Sequence, residues 1–224
     1  MIGCPTSGEA LVVDPKEDIQ EYLVFAQSMG AKITRVIDTH IHADHYSGAS
    51  KLAKETGAEL LLFESARVNF EYAPLRDGEV VRTGNAELRV MHTPGHTPES
   101  VCLMYVDKRR SDSVWTVLTG DTLFVGDVGR LDLIGGGTVE DMYSSIFNKL
   151  LRLEDYTEIY PAHYAGSACG RGMSLKTFST IGYEKRFNPA LKAKSFEEFA
   201  DYVGTNRPKP IPDHQKIKLK NMGL

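Results

Sequence analysis

Thr39-His40-Ile41-His42-Ala43-Asp44-His45 places three histidines and an aspartate within positions 40 to 45. Imidazole and carboxylate are the side chains that hold zinc or iron at neutral pH. The spacing, H-x-H-x-D-H, is not the i, i+4 pairing that sets two histidines on one helix face. Positions i and i+2 diverge on an extended backbone, and the adjacent Asp44-His45 pair needs a bend, so the stretch reads as a loop. Ile33 to Asp38, apolar and β-branched, is the strand that enters it, and a helix opens near Ser47-Gly48. A strand-to-helix turn at the C-terminal edge of a sheet is where α/β proteins commonly put their chemistry. A lone histidine in such a loop is ordinarily a local hydrogen-bonding residue; four candidate ligands together point to a metal site.

On either side of this loop the pattern is that of a layered α/β fold. Glu9 to Asp14 (EALVVD) reads as a strand stopped by Pro15, and Asp18 to Met29 as a helix ending at Gly30. Gly48 to Thr56 reads as a helix closed by Gly57, and Glu59 to Phe63 as a buried strand. The middle third reads as an antiparallel run: Glu79 to Arg82, Ala86 to His92, Val101 to Val106 and Val114 to Thr119. Next come a helix over Val139 to Leu153, a strand over Glu158 to Tyr160, and helices over Ser174 to Phe187 and Phe196 to Val203. The Pro- and Lys-rich end, 206–224, is expected to be an irregular tail. No linker separates two cores, so 1–224 reads as one domain.

Composition excludes several classes. The 224 residues carry a net charge of −4, which gives no electrostatic case for nucleic acid or an anionic membrane. No run of 18 apolar residues offers a transmembrane helix, and no basic-then-apolar segment opens the chain as a signal peptide. Three scattered cysteines (Cys4, Cys102 and Cys169) suit a reducing cytoplasm better than a disulfide framework.

Three further candidate ligands sit just past strand ends. His96 lies in Thr93-Pro94-Gly95-His96-Thr97, where Pro94-Gly95 forces a turn. Asp121 follows the strand ending at Thr119, and His163 follows the one ending at Tyr160. Each alone is more often a local hydrogen-bonding residue. Their recurrence at one kind of position, in strands of one sheet, would bring them together. His92 and His214 are left outside the site.

His40-x-His42-x-Asp44-His45, then His96, Asp121 and His163 in that order, resembles the metallo-β-lactamase superfamily over nearly the whole chain. The resemblance implies an α/β (α+β) fold, an αββα four-layer sandwich with its metal site at one edge of two sheets. Strands usually found before EALVVD would be shortened here. In two-metal members one ion takes the positions of His40, His42 and His96, the other those of Asp44, His45 and His163, and Asp121 bridges.

Within the superfamily, Thr93 to Ser100 (TPGHTPES), Gly120 to Leu133 (GDTLFVGDVGRLDL), Pro161 to Gly170 (PAHYAGSACG) and Ser179 to Glu184 (STIGYE) resemble the persulfide dioxygenases, in particular the bacterial and archaeal type often fused to rhodanese. That branch implies one Fe(II) per chain on His40, His96 and Asp121, a facial triad leaving positions open for a persulfide sulfur and O₂. His42, Asp44, His45 and His163 would then orient ligands and move protons. The expected catalytic residues are Asp44, His45 and Arg130; the expected substrate contacts are Arg130, Tyr164 and Cys169. Arg130 has an equal structural reading, an ion pair with Asp127 or Asp132. For Cys169 the structural reading is a buried, inert thiol. The resemblance also implies a homodimer and a rhodanese-type sulfurtransferase partner. The alternative is a dinuclear zinc thioester hydrolase of the glyoxalase II type, and a third reading is a metal-binding scaffold without activity.

Overall fold

Side chains alternate along β2 (Glu9–Val13) between two destinations. Leu11 joins Ile37, Leu61, Phe63 and Leu75 in one cluster, while Val12 joins Ile33, Val36, Ala49, Leu52 and Ala53 in another. A period of two with both faces apolar is that of a strand covered on both sides. The computed structural model describes residues 1–205 and 210–224. In it β1 (Ile2–Cys4), β2, β3 (Lys32–Ile37), β4 (Glu59–Phe63) and β5 (Ala73–Leu75) form a sheet in that order. β1 is antiparallel to β2, and the remaining pairs are parallel. Helices α1 (Gln20–Ser28) and α2 (Ala49–Thr56) lie on its outer face, against the Val12 cluster.

The second sheet is built on β6 (Val80–Thr83), β7 (Ala86–His92), β8 (Val101–Asp107) and β9 (Thr116–Gly120). A small hairpin of β10 (Leu123–Phe124) and β11 (Asp127–Val128) follows, then β12 (Glu158–Pro161) and β13 (Ser179–Thr180), giving the sheet order β13-β12-β9-β8-β7-β6. On β8, Val101 and Leu103 face the first sheet, and Cys102 faces the other way. That outer face is covered by α3 (Val139–Tyr143) and its π and 3₁₀ continuation to Arg152, by α4 (Ile181–Phe187) and by α5 (Phe196–Thr205). Helices, sheet, sheet and helices make the expected four-layer sandwich.

Strand direction gathers the loops. β7 and β9 are each antiparallel to β8, and β12 is parallel to β9, so the C-terminal ends of β7, β9 and β12 share one edge. The end of β3 is brought to the same edge by Val101 N, which donates to Thr39 O at 2.9 Å.

The observed elements depart from the sequence reading at both ends, in one helix and in the short strands β5, β10, β11 and β13, which it did not foresee. A strand, β1, precedes EALVVD. The helix expected over Ser174 to Phe187 starts only at Ile181, because the Thr180 side chain caps it by accepting from Tyr183 N. The tail is not irregular: α6 (His214–Asn221) is a helix, its last residues packed back on the rest of the chain. Part of the expected tail, 206–209, lies outside the described residues. No helix among the described residues is long and apolar enough to cross a membrane.

Candidate metal centre

The loop after β3 is shaped by a carboxylate just past the end of the preceding strand, β2. Asp14 ends β2 in a left-handed conformation, φ 48°. Its Oδ1 accepts from Thr39 N at 2.7 Å and from His42 Nε2 at 3.2 Å, and its Oδ2 accepts from Thr39 Oγ1 at 2.9 Å. With its proton committed to Asp14, the Thr39 hydroxyl presents a lone pair to His40 Nδ1, 3.0 Å away. Each histidine thus has one ring nitrogen held and the other turned inward: Nε2 of His40 and Nδ1 of His42, both without a hydrogen-bond partner.

The other candidate ligands arrive by backbone geometry. His96 Nδ1 donates to Arg130 O at 2.8 Å, which leaves Nε2 3.5 Å from Asp121 Oδ2. Gly95, at φ 149°, lets the chain pass against α3, where an added Cβ would lie 2.7 Å from Met142 Cα. β12 pairs with β9 so that Pro161 is opposite Gly120, and this register sets His163 beside Asp121. His163 Nε2 lies 3.4 Å from Asp121 Oδ1 and 3.2 Å from Asp44 Oδ2. His45 Nδ1 donates to Asp44 Oδ1 at 3.1 Å.

Four groupings result among the described residues, one of them Asp14, Asp38 and His42 behind the histidine loop. Ligand atoms of His40, His96 and Asp121 lie within 4.8 Å of one another, as do those of His42, Asp44 and His45, and those of Asp44, His163 and Cys169. Donors at about 2.1 Å around one tetrahedral ion are about 3.4 Å apart, so each set would close inward by at most about 1.4 Å to grip a common centre. His40 Nε2, His42 Nδ1, His163 Nε2 and both Asp121 oxygens are buried without a hydrogen-bond partner. An unmet buried polar atom costs about 1–3 kcal/mol. Five in one place fit a cation that takes up their lone pairs.

Electrostatics agree with the hydrogen bonding. Burial, with the imidazoles of His42 and His96 close by, holds His40 well below the usual histidine range, neutral and able to ligate. Burial also opposes a charge on His42, but its hydrogen bond to Asp14 and the charge of that carboxylate outweigh it and raise His42 to about 10, so an incoming ion would displace its Nδ1 proton. Asp38, 4.0 Å from His42 Nε2, is pushed up to about 6 by burial. Asp44 is held well below the usual carboxylate range: burial works against this, and the bond from His45 and the nearby His163 prevail.

Arg130 is buried, and its guanidinium meets Asp132 twice (Nε–Oδ1 2.8 Å, Nη2–Oδ2 2.9 Å) and donates from Nη1 to Ala168 O at 2.8 Å. The structural reading thus finds its partner in Asp132; Asp127 pairs instead with Arg171. Cys169 is buried beside Asp44 and His163, and Tyr164 stands exposed on a cleft of about 900 Å³ that His42, Asp44, His45 and His163 also line. Sequence reasoning missed Asp14, Glu99 and Asn221. Glu99 Oε1 accepts from Ile41 N at 3.0 Å, and Asn221 bonds the histidine loop from the far end of the chain. Asp14 alone left a signal, an acidic residue ending a strand before proline.

Residues 2–163 match the family model of the metallo-β-lactamase superfamily. The chain belongs to that superfamily, and its buried histidine–aspartate cluster is suited to holding one metal ion or two. It is similar to a Staphylococcus aureus metallo-β-lactamase of known structure: TM-score 0.89, 32% identity, 98% of this chain and 67% of that one covered. Relatives fall in two branches. A hydroxyacylglutathione hydrolase from a Polaromonas species is 36% identical over 166 residues, 73% of this chain and 60% of the relative. The human mitochondrial persulfide dioxygenase ETHE1 is 31% identical over 216 residues, 94% of this chain and 77% of the relative. The chain thus spans about 60% of the length of the hydrolase.

Proposed function

We propose that the chain oxidises the sulfane sulfur of a low-molecular-weight persulfide, such as glutathione persulfide, with Fe(II) held by His40, His96 and Asp121. The observation that carries this reading is the grouping of those three side chains in one set, while His42 groups with Asp44 and His45. Two imidazoles and one carboxylate are the ligands of an oxygen-activating iron with vacant places. Likeness to persulfide dioxygenase ETHE1 over 94% of the chain supports it. Overall, RSSH + O₂ + H₂O gives RSH + sulfite + 2 H⁺; the sulfane sulfur gives up four electrons and O₂ takes them.

Iron bound there would supply adjoining sites for the sulfur and for O₂, and the electrons that activate O₂. The protein does the rest. Arg130, paired with Asp132, fixes the carbonyl that orients His96. Asp44, held ionised, lies between His45 and His163 and orients the two imidazoles that would move the protons sulfite formation releases. The cleft beside Tyr164 admits the thiol carrier, and Cys169 meets the reacting sulfur from the buried side.

A second reading, a dinuclear zinc hydrolase of glutathione thioesters, is favoured by two observations. Asp44, His45 and His163 complete a second ligand set, and the hydroxyacylglutathione hydrolase is the more similar of the two branches in identity, 36% against 31%. Two metals would polarise a carbonyl and activate water. Metal analysis of anaerobically purified protein, followed by an oxygen electrode, separates the readings. One iron per chain and O₂ uptake on adding glutathione persulfide support the first. Two zinc ions, thioester cleavage and no O₂ uptake replace it with the second.

A further inference from the structure

The segment from His40 to Tyr46 belongs to no strand or helix, so its backbone groups need partners from elsewhere. One side chain supplies several. Asn221, the last residue of α6, donates from Nδ2 to His42 O at 2.9 Å and to His45 O at 2.8 Å, and its Oδ1 accepts from Ser47 N at 3.0 Å. Both its N–H groups are used on the carbonyls that bracket Ala43 and Asp44, and its oxygen on the turn into α2.

α6 is itself anchored on the other side of the site. Lys218 is buried, and its Nζ donates to Ile134 O at 2.9 Å and Gly135 O at 3.3 Å. Those carbonyls lie in the loop that continues from Arg130, whose own carbonyl orients His96. Next in the chain, Met222 packs on Ile41 and Leu62, and its carbonyl accepts from Asn69 N at 2.7 Å. The helix is therefore a strut between the loop carrying Asp44 and His45 and the loop behind His96.

We propose that Asn221 is a positioning residue for the metal centre: its amide holds the His42–Ser47 turn in the shape that points Asp44 and His45 at the ion. The inference rests on the cluster being a metal centre and holds for either reaction. It also explains the residue type. Aspartate has the same shape, but it would set a carboxylate against two carbonyl oxygens where the amide gives two N–H groups.

The test uses the full-length, metal-free chain titrated with Co(II), followed by its visible absorption. Asn221→Asp and Asn221→Ala are both expected to weaken Co(II) binding at least about tenfold, the usual size of effect for residues that orient ligands, and to change the absorption band, with unchanged circular dichroism. If Asn221 only fills space, the isosteric Asn221→Asp binds Co(II) as the wild type does, and the proposal falls. Hydrogen exchange on the metal-free wild type gives an independent reading. The Ser47 amide is expected to be protected and to exchange in step with the amides of α6; free exchange while α6 stays protected overturns the proposal. Should the wild type take up no Co(II), the metal-centre reading fails, and the exchange result alone decides on Asn221.

Discussion

The Asp14 carboxylate accepts three hydrogen bonds, two from Thr39 and one from His42, and through them fixes which nitrogen of His40 and of His42 faces the centre. Asp14→Asn should lower metal affinity about 10–100-fold, the range found when such orienting carboxylates are lost; competition with a chromophoric chelator measures it. The substitution also has a pH signature in the metal-free protein. His42 has its pKa raised by Asp14 to about 10, so the pair contributes stability that is full below the unfolded value near 6.5 and is lost as pH rises through 10. The Tm gap between wild type and Asp14→Asn should be wide at pH 6.5 and narrow by pH 10.5. Cys169 behaves in the opposite sense to a reactive thiol. Burial, then the charges of Asp121 and Asp44, push it well above the ordinary thiol range. In metal-free protein at pH 8 it should resist iodoacetamide while the unfolded chain reacts fully, which peptide mass mapping will show.

At the scale of elements, the site depends on how closely loops approach. The β10–β11 hairpin folds back over the end of β9, and Gly129 sits where an added Cβ would lie 1.8 Å from Asp121 O. That neighbour is backbone and cannot swing aside. Gly129→Ala should cost about 1–3 kcal/mol of stability, as overpacking does, and should also lower metal affinity because Asp121 moves with its carbonyl; denaturant unfolding and metal titration check the two effects. The same scale shows where sequence reading succeeded. Strands β2, β3, β4, β7 and β8 were legible because their apolar alternation and turn residues are local. The short β10, β11 and β13 were not, since two residues carry no period and their pairing is with distant chain. The helix before Phe187 was drawn too long because residues 174–178 have helical-looking spacing, while Thr180 as cap sets the true start.

For the molecule as a whole, four loops from one edge of two sheets meet at five unpartnered polar atoms. The fold therefore holds its ligands together before any ion arrives and carries the strain of doing so. Metal removal should lower Tm without unfolding the chain. At free metal 100 times Kd the bound state gains about 2.7 kcal/mol, a shift of several degrees that a thermal scan with and without chelator will read. A cluster that binds no metal would show no gain on adding it.

The sequence by itself determined the candidate ligands, their order and the strand ends that bear them, because strand and turn signals are written in neighbouring residues. It placed His40, His96 and Asp121 in one site through family resemblance and their common position after strands. Only the tertiary structure decided which ring nitrogen each histidine turns inward, that Arg130 pairs with Asp132, and that a helix from the tail is bonded to the histidine loop. Those are settled by hydrogen bonds between groups far apart in the chain, such as Asn221 and His42, and no local pattern encodes a partner at that distance.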